Sequence, residues 1–442
     1  MRIHRAVRIW AVAVTGALVL AGCSGAGETP SGGSGNQPAD SAPGVTDDTV
    51  VLGSHQPLTG PAAPGYSKIS VAAQAMYRYI NDNGGVNGRK IEYKVEDDAY
   101  NPTKTVEVVK KLVLEEQVFA LVGGLGTPTH SKVLDYLNQE GVPDLLVSSG
   151  ALMWDQPQKY PMTFGYQVDY LREGKIMGKY VKDSFAGKKV GLFFQGDDVG
   201  RDTQAGLDQF IKDQVVTRQP YDPANTDVTP QLLALKSSGA EVVVCACIPS
   251  FMALTLLTAA KIGFKPQFVS SSIGADPATL TALLQDFAKR SGATVSPDQL
   301  LAGFVGAGYL PRAALTDDPW VKFFKEIHDK YIPTEAFTDT LIFGMAQAYS
   351  VGQILKAAGR DLTRRKVVET LETTQLKGPG LVPFAYSKES HSGYTGAYLV
   401  RNNGNGTSSV VQQPMVTDRE SGEVKPAGGD RVNPDQTGLL DK

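Results

Sequence analysis

Few side chains in this 442-residue chain have the types and spacing that chemistry requires. Asp97 and Asp98 are adjacent, and paired carboxylates suit metal binding or general acid–base work. No partner carboxylate cluster or base is evident, so a structural role near the end of a strand is the preferred reading. Cys245 and Cys247 sit in an apolar run at 242–247 that reads as a buried strand. Residues i and i+2 share a face there, so a bridge is conceivable but strained. Two buried thiols are the preferred reading. The five histidines are scattered without metal-ligand spacing. Glycines 123, 124 and 126 follow a strand, but Thr129 breaks the G-x-G-x-x-G spacing of a dinucleotide loop. Phosphate-loop, H-E-x-x-H and G-x-S-x-G patterns are absent. We therefore expect no enzyme activity, cofactor or metal.

Thr127, after Gly126 and near a helix start at 127–131, reads as a helix N-cap. The loop at 57–65, with three prolines and two glycines, suits a stiff cavity wall or a plain turn.

The elements that position these residues alternate between strand and helix. Strands are predicted at 49–53, 91–96, 118–122 and 143–147, with helices near 69–80, 101–113 and 129–139. The pattern recurs with strands at 189–194, 215–221, 241–246 and 267–270 and helices at 200–212, 230–237 and 250–262. Later helices are predicted near 320–330, 339–358 and 364–371, and strands near 382–386 and 397–401. Two α/β lobes with parallel sheets imply a cleft where the strands end.

The front of the chain carries a different signal. Arg2, Arg5 and Arg8 precede an apolar run at 10–20, interrupted by Thr15 and Gly16. It is shorter than the ~20 residues that span a bilayer and fits a signal peptide. Leu20-Ala21-Gly22-Cys23 resembles the lipobox of bacterial lipoproteins. That resemblance implies cleavage after residue 22 and a lipid on Cys23, hence an extracytoplasmic protein anchored to the membrane. Residues 23–46, rich in Gly, Ser, Pro and Ala, read as a flexible tether. The polar stretch at 417–442 reads as a disordered tail. The chain has 43 basic and 46 acidic residues. Loss of the three signal arginines leaves it mildly acidic, with no basic run to attract nucleic acid.

The body then resembles the type 1 periplasmic solute-binding proteins, in their branched-chain amino acid (Leu/Ile/Val-binding) branch. The resemblance spans about 49–416 and is carried by PLTGP at 57–61, INDNGGVNGR at 80–89, EDDAYNP at 96–102, VGGLGT at 122–127 and GDDVG at 196–200. It implies two Rossmann-like lobes joined by a three-crossover hinge, closing on a small solute for an ABC permease. The lobes are expected at 47–166 plus 305–378, and at 167–304 plus 379–416. The runners-up are a ligand-sensing receptor subunit of the same fold and, further back, an exported enzyme.

The same resemblance places the ligand carboxylate at Thr127 and at Ser148, Ser149, Gly150 and Ala151. The family's ammonium-pairing acid on the second lobe matches Ser272, and its aromatic contacts match Val199 and Ile248. Its first-lobe disulfide positions match Tyr100 and Gly126. A buried ammonium without a partner is costly. These departures therefore point to a small polar or amphipathic solute, an amide or aromatic acid as much as a branched-chain amino acid. Tyr66, Trp154 and Tyr309 are candidates to enclose its apolar part.

Overall fold

A computed structural model describes residues 42–442 apart from 293, 405, 406, 430, 437, 438 and 440–442. The predicted signal peptide, Cys23 and the tether as far as residue 41 lie outside the described residues. The end of the expected tether is not flexible: Val45 bridges Val50 and packs on the first core, the Gly44 carbonyl accepts from the Val51 N–H (2.8 Å), and the Thr49 carbonyl accepts from the Thr46 N–H (2.9 Å).

From β1 (Thr49–Gln56) the chain passes through a single helical turn, α1 (Ala63–Tyr66), into α2 (Ile69–Asp82) and β2 (Lys90–Asp97). Next come α3 (Pro102–Lys110), β3 (Ala120–Val122), the short helices α4 (Thr127–His130) and α5 (Leu134–Gln139), β4 (Asp144–Val147) and β5 (Thr163–Gly165). These strands form one sheet in the order β2-β1-β3-β4-β5, parallel throughout. Every residue of β3 and β4 is buried, which is why both read as apolar runs without alternation.

The second lobe opens with α6 (Tyr170–Ser184), β6 (Val190–Gln195), α7 (Asp198–Ile211), β7 (Val215–Tyr221), α8 (Thr229–Ser237) and β8 (Val242–Ala246). It continues through α9 (Pro249–Lys261), β9 (Gln267–Ser270), α10 (Pro277–Arg290), α11 (Pro297–Leu301) and β10 (Val305–Gly308). The chain then returns to the first core with α12 (Pro319–Tyr331), α13 (Asp339–Ala358) and α14 (Arg364–Thr373). It ends with the hairpin β11 (Phe384–Ser387) and β12 (Ser390–Tyr394), then β13 (Gly396–Asn402), β14 (Ser408–Val416) and β15 (Lys425–Pro426). The second sheet runs β15-β14-β13-β10-β9-β8-β6-β7, parallel from β6 to β10 and antiparallel beyond. Its faces divide as a two-residue period requires: Val242 and Val244 enter one core, and Val243, Cys245 and Cys247 the other. Both cysteines are free and buried.

The structure departs from the expected lobe boundaries in three places. Residues 305–308 belong to the second sheet, because β10 pairs with β9 and β13. The hairpin β11–β12 packs Phe384, Tyr386 and Tyr394 into the first core, so the second sheet resumes only at Gly396. The described part of the stretch after 416 is not a disordered tail but is held to both lobes. β15 pairs with β14, Trp320 Nε1 donates to the Val432 carbonyl (2.8 Å), and Leu439 is buried in the first core. The tail therefore makes a further passage between the lobes after the three crossovers. Its polar composition concealed this, because its anchors are single residues.

Helices α6 and α7, which bring Tyr170 and Val199 to the site, cross at glycine. A Cβ on Gly206 would lie 2.1 Å from the Leu171 carbonyl oxygen and 2.7 Å from the Lys175 nitrogen. Gly206→Ala must part the helices, so we expect it to destabilise the protein by about 2–3 kcal/mol. Urea unfolding checks this, and an unchanged midpoint would show that the contact carries no constraint.

Candidate functional site

Strand ends from both sheets converge on one cavity of about 120 Å³. The first lobe contributes Tyr66 beyond β1, Tyr100 beyond β2, Gly126 and Thr127 beyond β3, and Ser148 beyond β4. The second contributes Val199 beyond β6, Ile248 beyond β8, Ser272 beyond β9 and Tyr309 beyond β10. Parallel strands put all these loops at one edge of each sheet, where an α/β fold holds ligands. Direct bonds span the lobes beside the cavity: Tyr66 OH donates to the Ile273 carbonyl (2.6 Å), and Ser250 Oγ donates to the Pro61 carbonyl (2.8 Å).

Of the nine residues singled out from sequence, Tyr66, Thr127, Ser148, Val199, Ile248 and Ser272 line this cavity. Ser149, Gly150 and Ala151 stand behind it. Ser149 Oγ shares a 2.6 Å hydrogen bond with Thr127 Oγ1 and accepts from the Ala151 N–H (3.3 Å). The Gly150 carbonyl accepts from the Tyr170 N–H (2.8 Å), which brings α6 to the cavity. Thr127 is the first residue of α4, not its cap; Gly126 holds the cap position. Trp154 does not enclose the cavity; it is buried edge-on against His130, with ring centroids 5.1 Å apart. The positions matching the family's disulfide are neighbours here too. A Cβ on Gly126 would fall 2.6 Å from the Tyr100 ring, so the aromatic ring occupies that space.

Asp97 and Asp98 prove structural. Asp97 Oδ1 accepts from the Ala99 N–H and Asp98 Oδ1 from the Tyr100 N–H, both at 2.9 Å. These bonds hold Ala99 and Tyr100 in the left-handed region, at φ 53° and 55°. The turn they fix delivers the Tyr100 ring to the cavity. Asp98 also begins a buried polar chain. Its Oδ2 meets His55 Nδ1, His55 Nε2 meets His130 Nδ1, and His130 Nε2 meets Asp144 Oδ2, each at 2.8 Å. The chain passes under Gly124, where a Cβ would lie 2.4 Å from His130 Nδ1 and 2.7 Å from His55 Nε2. Only glycine fits between this chain and the loop that presents Thr127.

Several groups escaped the sequence reading. Gln167, Tyr170, Phe343 and Tyr398 line the cavity, as do Asp276, Arg312, Asp339 and Thr340. Asp276 begins α10 as its cap, and Asp339 opens α13 behind the Thr338 cap, so both were readable as helix starts but not as site residues. Burial and the neighbouring Asp276 push the Asp339 carboxyl up to about 6, against the pull of Arg312. Glu173 is fully buried, and its Oε1 accepts from the Ser272 N–H (2.9 Å) while its Oε2 has no partner. Ser272 thus brings no charge of its own, but a carboxyl stands directly behind it. No cluster of His, Cys, Asp or Glu with metal-holding geometry occurs among the described residues.

A family model for the periplasmic binding proteins matches residues 49–407. The chain belongs to this family. Leu/Ile/Val-binding protein homolog 1 of Brucella abortus (strain 2308) is 24% identical over 337 residues, 75% of this chain and 83% of that protein. The leucine-, isoleucine-, valine-, threonine-, and alanine-binding protein of Pseudomonas aeruginosa is 23% identical over 252 residues, 56% of this chain and 66% of that protein. Among solved structures, a fatty acid ABC transporter substrate-binding protein from Thermomonospora curvata superposes with a TM-score of 0.72 at 22% identity, covering 86% of this chain and 95% of that one. A branched chain amino acid ABC transporter from Thermus thermophilus with bound valine gives a TM-score of 0.70 at 19% identity, covering 85% and 98%. At these identities the likeness to solved structures is one of fold. In this periplasmic binding protein the two lobes and their cavity are the family's architecture.

Burial pushes the Glu173 carboxyl up to about 7, against the bonds it receives from Ser272. Its usual value is near 4.5. Between those values the folded chain holds a proton that the unfolded chain has lost, so stability falls as pH rises through this window. The loss is on the order of 3 kcal/mol and is complete above about pH 7. Glu173→Gln keeps the shape without the titration. We expect wild type to lose stability between about pH 5 and 7 and the variant to lose less, as measured by urea unfolding across pH. Parallel curves would show that Glu173 does not titrate there.

Proposed function

We propose that this chain is the solute-capturing component of an ABC importer, held outside the cytoplasm by a lipid on Cys23. The observation that carries the reading is the cavity itself. It lies between two lobes, walled by loops from the ends of both parallel sheets and spanned by direct bonds from Tyr66 and Ser250. Thr127, Ser148 and Ser149 supply hydroxyls without formal charge at one end. Aromatic and aliphatic side chains make most of the remaining wall. Such a site holds a small amphipathic solute with an acid or amide head, and its task is binding without chemistry.

Residues 1–22 act as the signal peptide and the stretch from 23 to about 41 as the tether in this reading, ahead of residues 44–46, which pair with β1. The partner is a membrane permease that receives the solute when the lobes part. The relatives named for leucine, isoleucine and valine, and the neighbours described with valine and with fatty acid, support a solute with an acid head and an apolar body.

Mass spectrometry of solute released from the purified protein, together with calorimetry using L-leucine, L-valine and phenylpropionate, tests the reading. We expect at least one of these acids to bind one to one and to be recovered unchanged. Thr127→Val should weaken it by about tenfold, as for the loss of one hydrogen bond to a charged group, with little change in melting temperature. Cys23→Ala should move the protein from the membrane fraction to the soluble fraction. Conversion of the bound acid during incubation would defeat the binding-only reading, and an unmoved Cys23→Ala variant would defeat the anchor.

A further inference from the structure

Two sets of polar groups in the cavity lie at opposite ends of a wall made by the first turns of α13, with Gln167, Ser272 and tyrosine hydroxyls elsewhere in the lining. Asp339 and Thr340 open that helix at the cavity, and Phe343 lines it one turn on. One turn further, Gln347 Nε2 donates to Ser148 Oγ (2.9 Å) and to the Leu146 carbonyl (2.8 Å). Asp339 and Gln347 are eight residues apart, which is about 12 Å of helix at ~1.5 Å per residue. The cavity is therefore a slot with the hydroxyls of Thr127 and Ser148 at one end and a charged cluster at the other.

The far cluster has an unusual inventory. Arg312 is 7% exposed and lines the cavity. Its Nη1 donates to Asp339 Oδ2 (2.9 Å) and the Ala275 carbonyl (2.8 Å), and its Nη2 to the carbonyls of Gly306 (3.2 Å) and Ala307 (3.1 Å). Its Nε–H is buried without a partner. Asp339 accepts only from Arg312 and from the Ala313 N–H (2.7 Å), which leaves lone pairs free. Asp276 is better served, by the Ala278 and Thr279 N–H groups, the Thr279 hydroxyl, and the Thr340 N–H and hydroxyl. Two carboxylates against one guanidinium give the cluster a formal surplus of one negative charge. One donor and one acceptor are left unmatched.

Resting on the reading of this cavity as the solute site, we propose that it takes an elongated acid carrying a hydroxyl at the end remote from its acid group. The acid head sits at Thr127 and Ser148, an apolar or aromatic middle lies along Phe343, and the hydroxyl meets Arg312 and Asp339. A hydroxyl both donates and accepts, so it satisfies Asp339 and the Arg312 Nε–H together. A methyl group or bare ring edge satisfies neither, and leaving them unpaired is costly. A second carboxylate would add negative charge to a cluster already in surplus. The two ends lie about 12 Å apart along α13, so only an elongated solute reaches both.

Calorimetry on the full chain with acids of one skeleton tests this: para-hydroxyphenylpropionate, phenylpropionate and para-carboxyphenylpropionate, with L-leucine as a short one-ended acid. We expect the hydroxy acid to bind about tenfold tighter than phenylpropionate, and the diacid weaker than both. Asp339→Asn should narrow the tenfold preference to below about threefold, whereas Thr127→Val should weaken the two monoacids alike. Phe343→Trp, which crowds the middle of the slot without touching either end, should weaken the hydroxy acid at least tenfold and serves if the Asp339 variant does not fold. Phenylpropionate binding as tightly as the hydroxy acid, or a preference that survives Asp339→Asn, would overturn the proposal. If leucine binds and no aryl acid does, the elongated solute is wrong and solute capture stands. If none of the four binds and nothing is carried through purification, capture itself fails.

Discussion

Four buried side chains hold the first lobe's strand ends in register beneath the cavity. Asp98 follows β2, His55 lies in β1, His130 ends α4 and Asp144 begins β4, so their chain of hydrogen bonds ties three strands and a helix together. All three bonds lie in a dry interior, where unmatched polar groups are most costly, so the four side chains fix one another's positions. Burial lowers the His55 imidazole against the pull of Asp98. The loop from Gly123 to Thr127 rests on this chain through Gly124, so the placing of the Thr127 hydroxyl depends on the packing of these four side chains.

The second lobe meets the first through individually weak direct bonds. They include Tyr66 to Ile273, Ser250 to Pro61, the Leu152 N–H to Asp202 (3.0 Å), Gln195 Nε2 to the Tyr100 hydroxyl (3.3 Å) and Thr340 to Asp276 (3.1 Å), each contributing about 1 kcal/mol, with somewhat more where a carboxylate accepts. Bonds of this strength let a bound solute shift an equilibrium between parted and closed lobes. A cavity wall contributed by both lobes gives the solute its differential affinity, because its contacts with both halves exist only when they are together.

Much of this was legible in the sequence, and what was hidden has a common cause. Alternating strand and helix patterns placed β1, β2, β7, β9 and α13 within a few residues, because their apolar periods are uninterrupted. Thr127, Ser148 and Ser272 were legible through the family resemblance, whose motifs fix which loops beyond β3, β4 and β9 form the site. Helix α6 was overlooked: its buried face includes Glu173 and Lys175, which a pattern search assigns to solvent. Lys175 is buried because Asp418, far along the chain, accepts its ammonium at 2.9 Å. The far cluster was invisible for the same reason. Asp276, Arg312 and Asp339 lie on three separate segments, and no local spacing marks residues that meet only through the packing of β10 against β9 and of α13 against the first core.

Glu173 shows how a missing charge can still be felt at a site. A solute ammonium at Ser272 meets a neutral hydroxyl, yet the carboxyl behind that serine is bound to its N–H and holds a proton below about pH 7. Negative charge in this part of the cavity wall is therefore conditional on pH and screened by the Ser272 backbone. At the far cluster the surplus is complete only above about pH 6, because burial and Asp276 push the Asp339 carboxyl up to that value and Arg312 offsets only one carboxylate. A solute that carries its acid at Thr127 keeps that charge away from the surplus at Asp276 and Asp339. The proposed slot would thereby favour an orientation as well as a length, with the acidic groups of the cavity wall held at Glu173 behind Ser272 and at Asp276 and Asp339.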